Sequence, residues 1–138
     1  MQTAQLQLVR KIFDAFEHRD VDALLELAHP DVEFSAVTAR IAADGRPYVG
    51  QEGLRRYFED VDQVWEELRP VPQEHHELPD GVLSLGRVYA RGRDGVLVDS
   101  PAGWLWRLRD GKVTSGKVFS SREEALSAAG LAEPPGAG

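Results

Sequence analysis

Apolar residues recur at steps of three and four between Ala4 and His18, where Leu6, Val9, Ile12, Phe13 and Phe16 share one face, and this predicts an amphipathic helix. Arg19 to Asp22 interrupts the pattern, and Asp20 is placed to cap a second short helix over Val21 to Ala28 by accepting a backbone N–H bond. His29-Pro30-Asp31 ends it, because the residue before a proline is pushed out of the helical region. Val32 to Val37 then alternates as a strand, with Val32, Phe34 and Ala36 on one side. Ala39 to Gly50 reads as irregular, with a turn at Asp44-Gly45. A third helix is expected from about Gln51 to Leu68, with Leu54, Phe58, Val61, Trp65 and Leu68 as its buried stripe and Pro70 and Pro72 stopping it.

The remainder is strand and turn. Gln73 to Leu78 reads as a polar edge strand, Pro79-Asp80-Gly81 as a turn, and Val82 to Arg91 as a longer strand ending in an Arg93-Asp94-Gly95 hairpin. Two further strands meet at Asp110-Gly111, a dipeptide suited to a tight hairpin because glycine takes positive φ without a Cβ clash. Ser121 to Ala129 is a terminal helix with Gly130 at its C-cap, and residues 132–138 read as a disordered tail. Helices first and a strand meander after imply an α+β domain spanning residues 1–131, a curved, mainly antiparallel (mixed) sheet wrapped around three N-terminal helices. A cone of that kind that its side chains do not fill is a pocket.

Composition narrows the chemistry. The chain has no cysteine, which excludes a disulfide scaffold, a thiol nucleophile and a zinc–thiolate site. Its net charge of -7 is unsuited to sequence-independent nucleic-acid binding, which needs basic surface to displace counterions. No apolar run approaches the roughly 20 residues needed to span a bilayer, and no basic-then-apolar signal segment opens the chain, so a cytoplasmic protein without a membrane or nucleic-acid partner is expected. No His, Asp or Glu pair has metal-site spacing, and no phosphate-binding glycine loop is present, so neither a metal nor a cofactor is expected.

The aromatic residues are the strongest functional signal. Trp104 and Trp106 are two apart on one strand and so point to one face of a sheet, either as core or as the wall of an apolar pocket. Phe16, Phe34 and Tyr57 come from other elements and can converge on the same space, and Tyr48 either covers its mouth or packs against the third helix. Among titratable groups, Asp99 and His76 are the catalytic candidates. Asp99 is odd and Trp104 even, so a regular strand turns them to opposite sides unless a bulge at Pro101 or Gly103 resets the phase. His75 and His76 are adjacent, so at most one of them faces the interior.

Four stretches carry a family resemblance: F-D-A-F-E-H-R-D-V-D-A-L-L-E-L-A-H-P-D-V-E-F, Y-V-G-Q-E-G-L-R-R-Y-F, W-L-W-R-L-R-D-G-K-V and S-R-E-E-A-L-S-A-A-G-L. Together with the element order they resemble the nuclear transport factor two-like superfamily, and within it the SnoaL-like group of polyketide cyclase-like and ketosteroid isomerase-like proteins, over about Leu6 to Leu131. The resemblance implies a cone-shaped domain with a pocket between sheet and helices, a hydrophobic small-molecule ligand, and a homodimer formed through the outer sheet face. It leaves open a cofactor-independent isomerase, cyclase or hydrolase of a hydrophobic ring compound and, as the alternative, a non-catalytic ligand-binding or dimerisation module. The isomerase members carry a tyrosine, an aspartate base and a protonated aspartate where this sequence has Ile12, a position near Ala36 and a position near Trp104. The epoxide hydrolase members need an Asp-Arg-Asp relay, for which Asp99 with Arg87, Arg91 or Arg107 is the available material.

Overall fold

A computed structural model describes residues 3–35 and 46–131. Helix α1 (Ala4–Glu17) is capped by Thr3, whose hydroxyl accepts the Leu6 N–H, and α2 (Val21–Leu27) by Asp20, which accepts the Ala23 N–H. Between them Arg19 takes a left-handed conformation (φ 51°), and the Asp20 N–H returns to the Ala15 carbonyl at 2.8 Å, so the chain reverses within one turn. Strand β1 (Ala28–Ser35) buries Val32 and Phe34 as expected. The position near Ala36, the Asp44-Gly45 turn and the tail lie outside the described residues.

After β2 (Tyr48–Val49) and α3 (Gly50–Val64), four long strands follow: β3 (Trp65–Leu78), β4 (Gly81–Gly92), β5 (Leu97–Arg109) and β6 (Lys112–Phe119). Helix α4 (Arg122–Ala128), capped by Ser121, closes the described chain. The sheet is mixed, in the order β2-β1-β6-β5-β4-β3, with β1 and β6 parallel and the other pairs antiparallel. This is the α+β class expected. Asp110 and Gly111 both have positive φ, as the tight hairpin between β5 and β6 requires. No helix among the described residues is long and apolar enough to cross a membrane.

The third helix corrects the expectation. It ends at Val64, and Trp65 to Leu78 is one strand paired with β4 throughout its length. A register shift between Trp65 and Glu67 leaves Trp65 and Leu68, three residues apart, on one face, a spacing that imitates a helical stripe. Pro70 and Pro72 sit inside this strand rather than before it. It is an edge strand, where a missing N–H costs no ladder bond on the open side.

The two faces of the sheet are occupied differently. Even-numbered positions of β4 and β5, among them Val82, Ala102, Trp104 and Trp106, pack with α1, α2 and α3. Odd-numbered Leu83, Leu85 and Leu105 pack with Ala125 and Leu126 of α4 on the opposite face. The β4–β5 ladder is continuous from Gly81–Arg107 to Arg91–Leu97, so this alternation holds over the whole pair.

Candidate functional site

Between the helices and the inner sheet face lies a cavity of about 250 Å³. Phe13 and Phe16 of α1, Phe34 of β1, and Tyr57, Phe58 and Val61 of α3 form its helical side and floor. Trp65, Leu68 and Pro70 of β3, Val88 and Ala90 of β4, and Val98, Ala102, Trp104 and Trp106 of β5 form the sheet side. The aromatic rings brace one another. Phe13 meets both indoles edge-on at 5.0 and 5.5 Å, Phe16 stacks on Phe58 at 5.8 Å, and Tyr57 meets Phe34 edge-on at 5.0 Å. The wall is therefore built from rings held in place by other rings.

Trp106 fits because Gly116 faces it. A Cβ at Gly116 would lie 2.5 Å from Trp106 Cζ3 and 3.0 Å from Phe34 Cδ1, so the absent side chain is the space the two rings occupy. The Trp106 indole nitrogen is buried and has no hydrogen-bond partner among the described residues. Leaving such a donor unpaired costs on the order of 1–3 kcal/mol.

The polar groups of the lining are sparse. Arg19 is the one charged residue there among the described residues, its guanidinium paired with Asp62 and donating at 3.4 Å to the Trp65 carbonyl, so it is fixed at the rim by the reversal after α1. Burial pushes the Tyr57 hydroxyl well above the ordinary tyrosine range, with Arg19 opposing, so Tyr57 stays protonated. Ser100 and Ser120 are the other polar lining residues among those described.

Of the residues singled out in the sequence, Phe16, Phe34, Tyr57, Trp104 and Trp106 line this cavity together. Trp65, placed there as helical core, lines it from the edge strand. Tyr48 does not. It is fully buried against α3, where its hydroxyl donates to Asp60 Oδ2 at 2.7 Å and its ring meets Tyr57 edge-on at 5.4 Å. Asp99 stands on the opposite face from Trp104, since no bulge interrupts β5 beside β4. It is exposed and accepts a hydrogen bond from Arg87 Nε at 2.7 Å. Arg107 pairs with Asp80 and Arg91 with Glu66 and Glu67, so no relay assembles around Asp99 among the described residues.

The histidines are sorted by a second irregularity. A register shift between Pro72 and Glu74 pairs His75 with Ser84 and His76 with Leu83. His75 thus turns inward, half-buried behind Phe13, with Nδ1 2.8 Å from the buried Ser84 hydroxyl, and its pKa is lowered by burial first and then by the Arg10 charge. His76 turns outward to Glu74 at 3.2 Å, away from the cavity. Gly86 permits the bulge, because a Cβ there would lie 2.1 Å from the Val71 carbonyl oxygen. Of the three isomerase positions, Ile12 is buried and apolar and Trp104 is cavity wall.

This architecture has counterparts. The family model of the SnoaL-like domain matches residues 9–116. The chain belongs to the SnoaL-like family. No curated protein matches it by sequence. Among solved structures, this SnoaL-like chain is similar to a protein of unknown function with the nuclear transport factor two-like fold from Burkholderia pseudomallei (20% identity, TM-score 0.79, covering 93% of this chain and 98% of that one). It is also similar to TerC co-crystallised with polyporic acid (23% identity, TM-score 0.78, 92% and 98% covered). A third is a Mycobacterium tuberculosis protein in complex with estradiol-17beta-hemisuccinate (17% identity, TM-score 0.71, 88% and 97% covered). At these identities the likeness is one of fold.

Proposed function

We propose that this SnoaL-like protein binds a compact hydrophobic ring compound in the cavity between α1, α3 and the inner sheet face. The observation that carries the reading is the lining: among the described residues, nine aromatic rings from six elements border about 250 Å³ around a single charged residue, Arg19. That volume lies just below the roughly 300–1,000 Å³ usual for drug-sized ligands, which favours one or two fused rings over larger skeletons. Two structural relatives crystallised with small molecules support the same reading. No Asp, Glu or His stands in the lining among the described residues, so the reading favoured is binding.

A thermal-shift screen of ring compounds tests it. A ligand that binds only the folded state raises the melting temperature by mass action. The Ala102→Leu variant, which fills the space between Trp104 and the helices, should fold and lose the shift. A ligand that stabilises this variant as well as the parent would place binding elsewhere.

The same proposal includes a homodimer through the outer sheet face. Among the described residues, helix α4 covers the Leu83, Leu85 and Leu105 end of that face, and Tyr89 and Leu97 are exposed beside the Arg87–Asp99 pair. Sedimentation equilibrium should give twice the chain mass, and Leu97→Asp should return it to the monomer value; a monomeric parent would remove this part of the reading.

A further inference from the structure

Two hydrogen-bond donors of the cavity wall stand without a partner among the described residues. Trp106 Nε1 can only donate a hydrogen bond, is buried, and finds no partner among the described residues. Its benzo edge, Cε3 and Cζ3, lies over Gly116, which turns the nitrogen edge of the indole away from β6. Tyr57 is the second group. Its hydroxyl makes no hydrogen bond among the described residues, and the influences on it are burial and the Arg19 charge alone. The two rings border the same pair of phenylalanines. Phe16 lies 5.5 Å from Tyr57 and 6.0 Å from Trp106, and Phe34 lies 5.0 Å from Tyr57 and 6.0 Å from Trp106. Both therefore belong to one end of the cavity, with Arg19 at the rim.

We infer that the Trp106 indole N–H and the Tyr57 hydroxyl are the specificity-determining donors of this cavity, and that they select a neutral or anionic ring compound bearing an oxygen acceptor against both the bare hydrocarbon and an ammonium-bearing analogue. The inference rests on the binding reading above and deepens it. An apolar wall alone recognises shape and does not separate a ketone from the hydrocarbon of the same skeleton. A buried donor without a partner does separate them, because an acceptor that reaches it replaces the water it gave up on entry while the hydrocarbon leaves the donor unpaired. The ammonium compound fails for a different reason. Among the described residues the lining holds a guanidinium and no carboxylate, so a buried cation would be desolvated without an opposite charge.

Calorimetric titration with indane, indanone and aminoindane tests this, since the three share one bicyclic skeleton. The folded parent protein should bind indanone about three- to tenfold more tightly than indane, the range expected of one net hydrogen bond. Aminoindane should bind least. Trp106→Phe and Tyr57→Phe keep a ring in each position and remove one donor each, and each should reduce the indanone-to-indane ratio toward unity. The ratio is read within each variant, so a change in overall packing cancels, and either variant suffices if the other does not fold. Equal binding of indane and indanone by the parent, or a ratio unchanged in the variants, overturns the donor assignment and leaves the cavity as a ring-binding site. Binding of none of the three overturns the assignment together with the reading beneath it.

Discussion

Trp106 and Phe34 lie parallel to within 2°, their ring centroids 6.0 Å apart, across the backbone of Gly116 in the strand between them. Three adjacent strands thus contribute a large ring, no side chain and a large ring in one row. The gap is what lets an indole lie flat at the base of the cavity.

Adding a methyl group at the centre of this row should be costly. Gly116→Ala puts a carbon within 2.5 Å of the indole and 3.0 Å of the Phe34 ring. Overpacking of this kind costs about 1–3 kcal/mol, and urea unfolding should show the midpoint shifted down with an unchanged slope. A variant as stable as the parent would mean that the rings yield freely.

Tyr48 serves the fold. Replacing it by phenylalanine removes the 2.7 Å hydrogen bond to Asp60 and leaves a buried carboxylate oxygen without its donor. The expected loss is about 1–3 kcal/mol in chemical denaturation, with ring-compound affinity unchanged, since Tyr48 stands outside the cavity lining. A selective loss of affinity at full stability would reverse that assignment.

Asp99→Asn and His76→Gln should leave ligand affinity and any turnover at the parent level. Both side chains stand on the outer side of the sheet in partly exposed ion pairs, Asp99 with Arg87 and His76 with Glu74. A large fall in either quantity would require these groups to reach the cavity by a rearrangement of β3 or β5.

His75 gives the protein a mild acid sensitivity. Its folded-state pKa is lowered from 6.5 by burial, so the folded state favours the neutral ring. That contribution is complete above about 6.5 and is lost as the pH falls from there through the lower folded value. Glu74, whose pKa is lowered by its hydrogen bonds to His76 and Arg122, contributes in a separate window, losing its share as the pH falls below 4.5. Melting temperatures measured from pH 8 to pH 5 should decline through the upper window, and His75→Gln should flatten it. An unchanged decline in that variant would assign the effect to another group.

The fold was legible because its signals are periodic. The α1 stripe, the Asp20 and Ser121 caps and the Asp110-Gly111 hairpin are local features, and local chemistry decides them. The same alternation put Trp104 and Trp106 on one face and Asp99 on the other. What was not legible was phase after a bulge. Trp65 and Leu68 carry helical spacing because one extra residue separates them on a strand, and His75 rather than His76 turns inward because a second extra residue precedes it. A bulge is fixed by the partner strand, here by Gly86 opposite Val71 and Pro72, and that partner lies more than ten residues away in sequence. The Trp106 donor escaped notice for a related reason, since an unpaired N–H is a property of everything around it.

The irregularity before His75 has a consequence for how such a cavity changes over generations. If the bulge closed and Gln73 took the place opposite Leu85, every later residue of β3 would slip by one, and His75 and His76 would exchange between the faces of the sheet with no residue identity changed. A lineage built on this fold can therefore alter the ionisable groups behind its binding wall by closing a bulge at the sheet margin, with no substitution among the wall residues themselves.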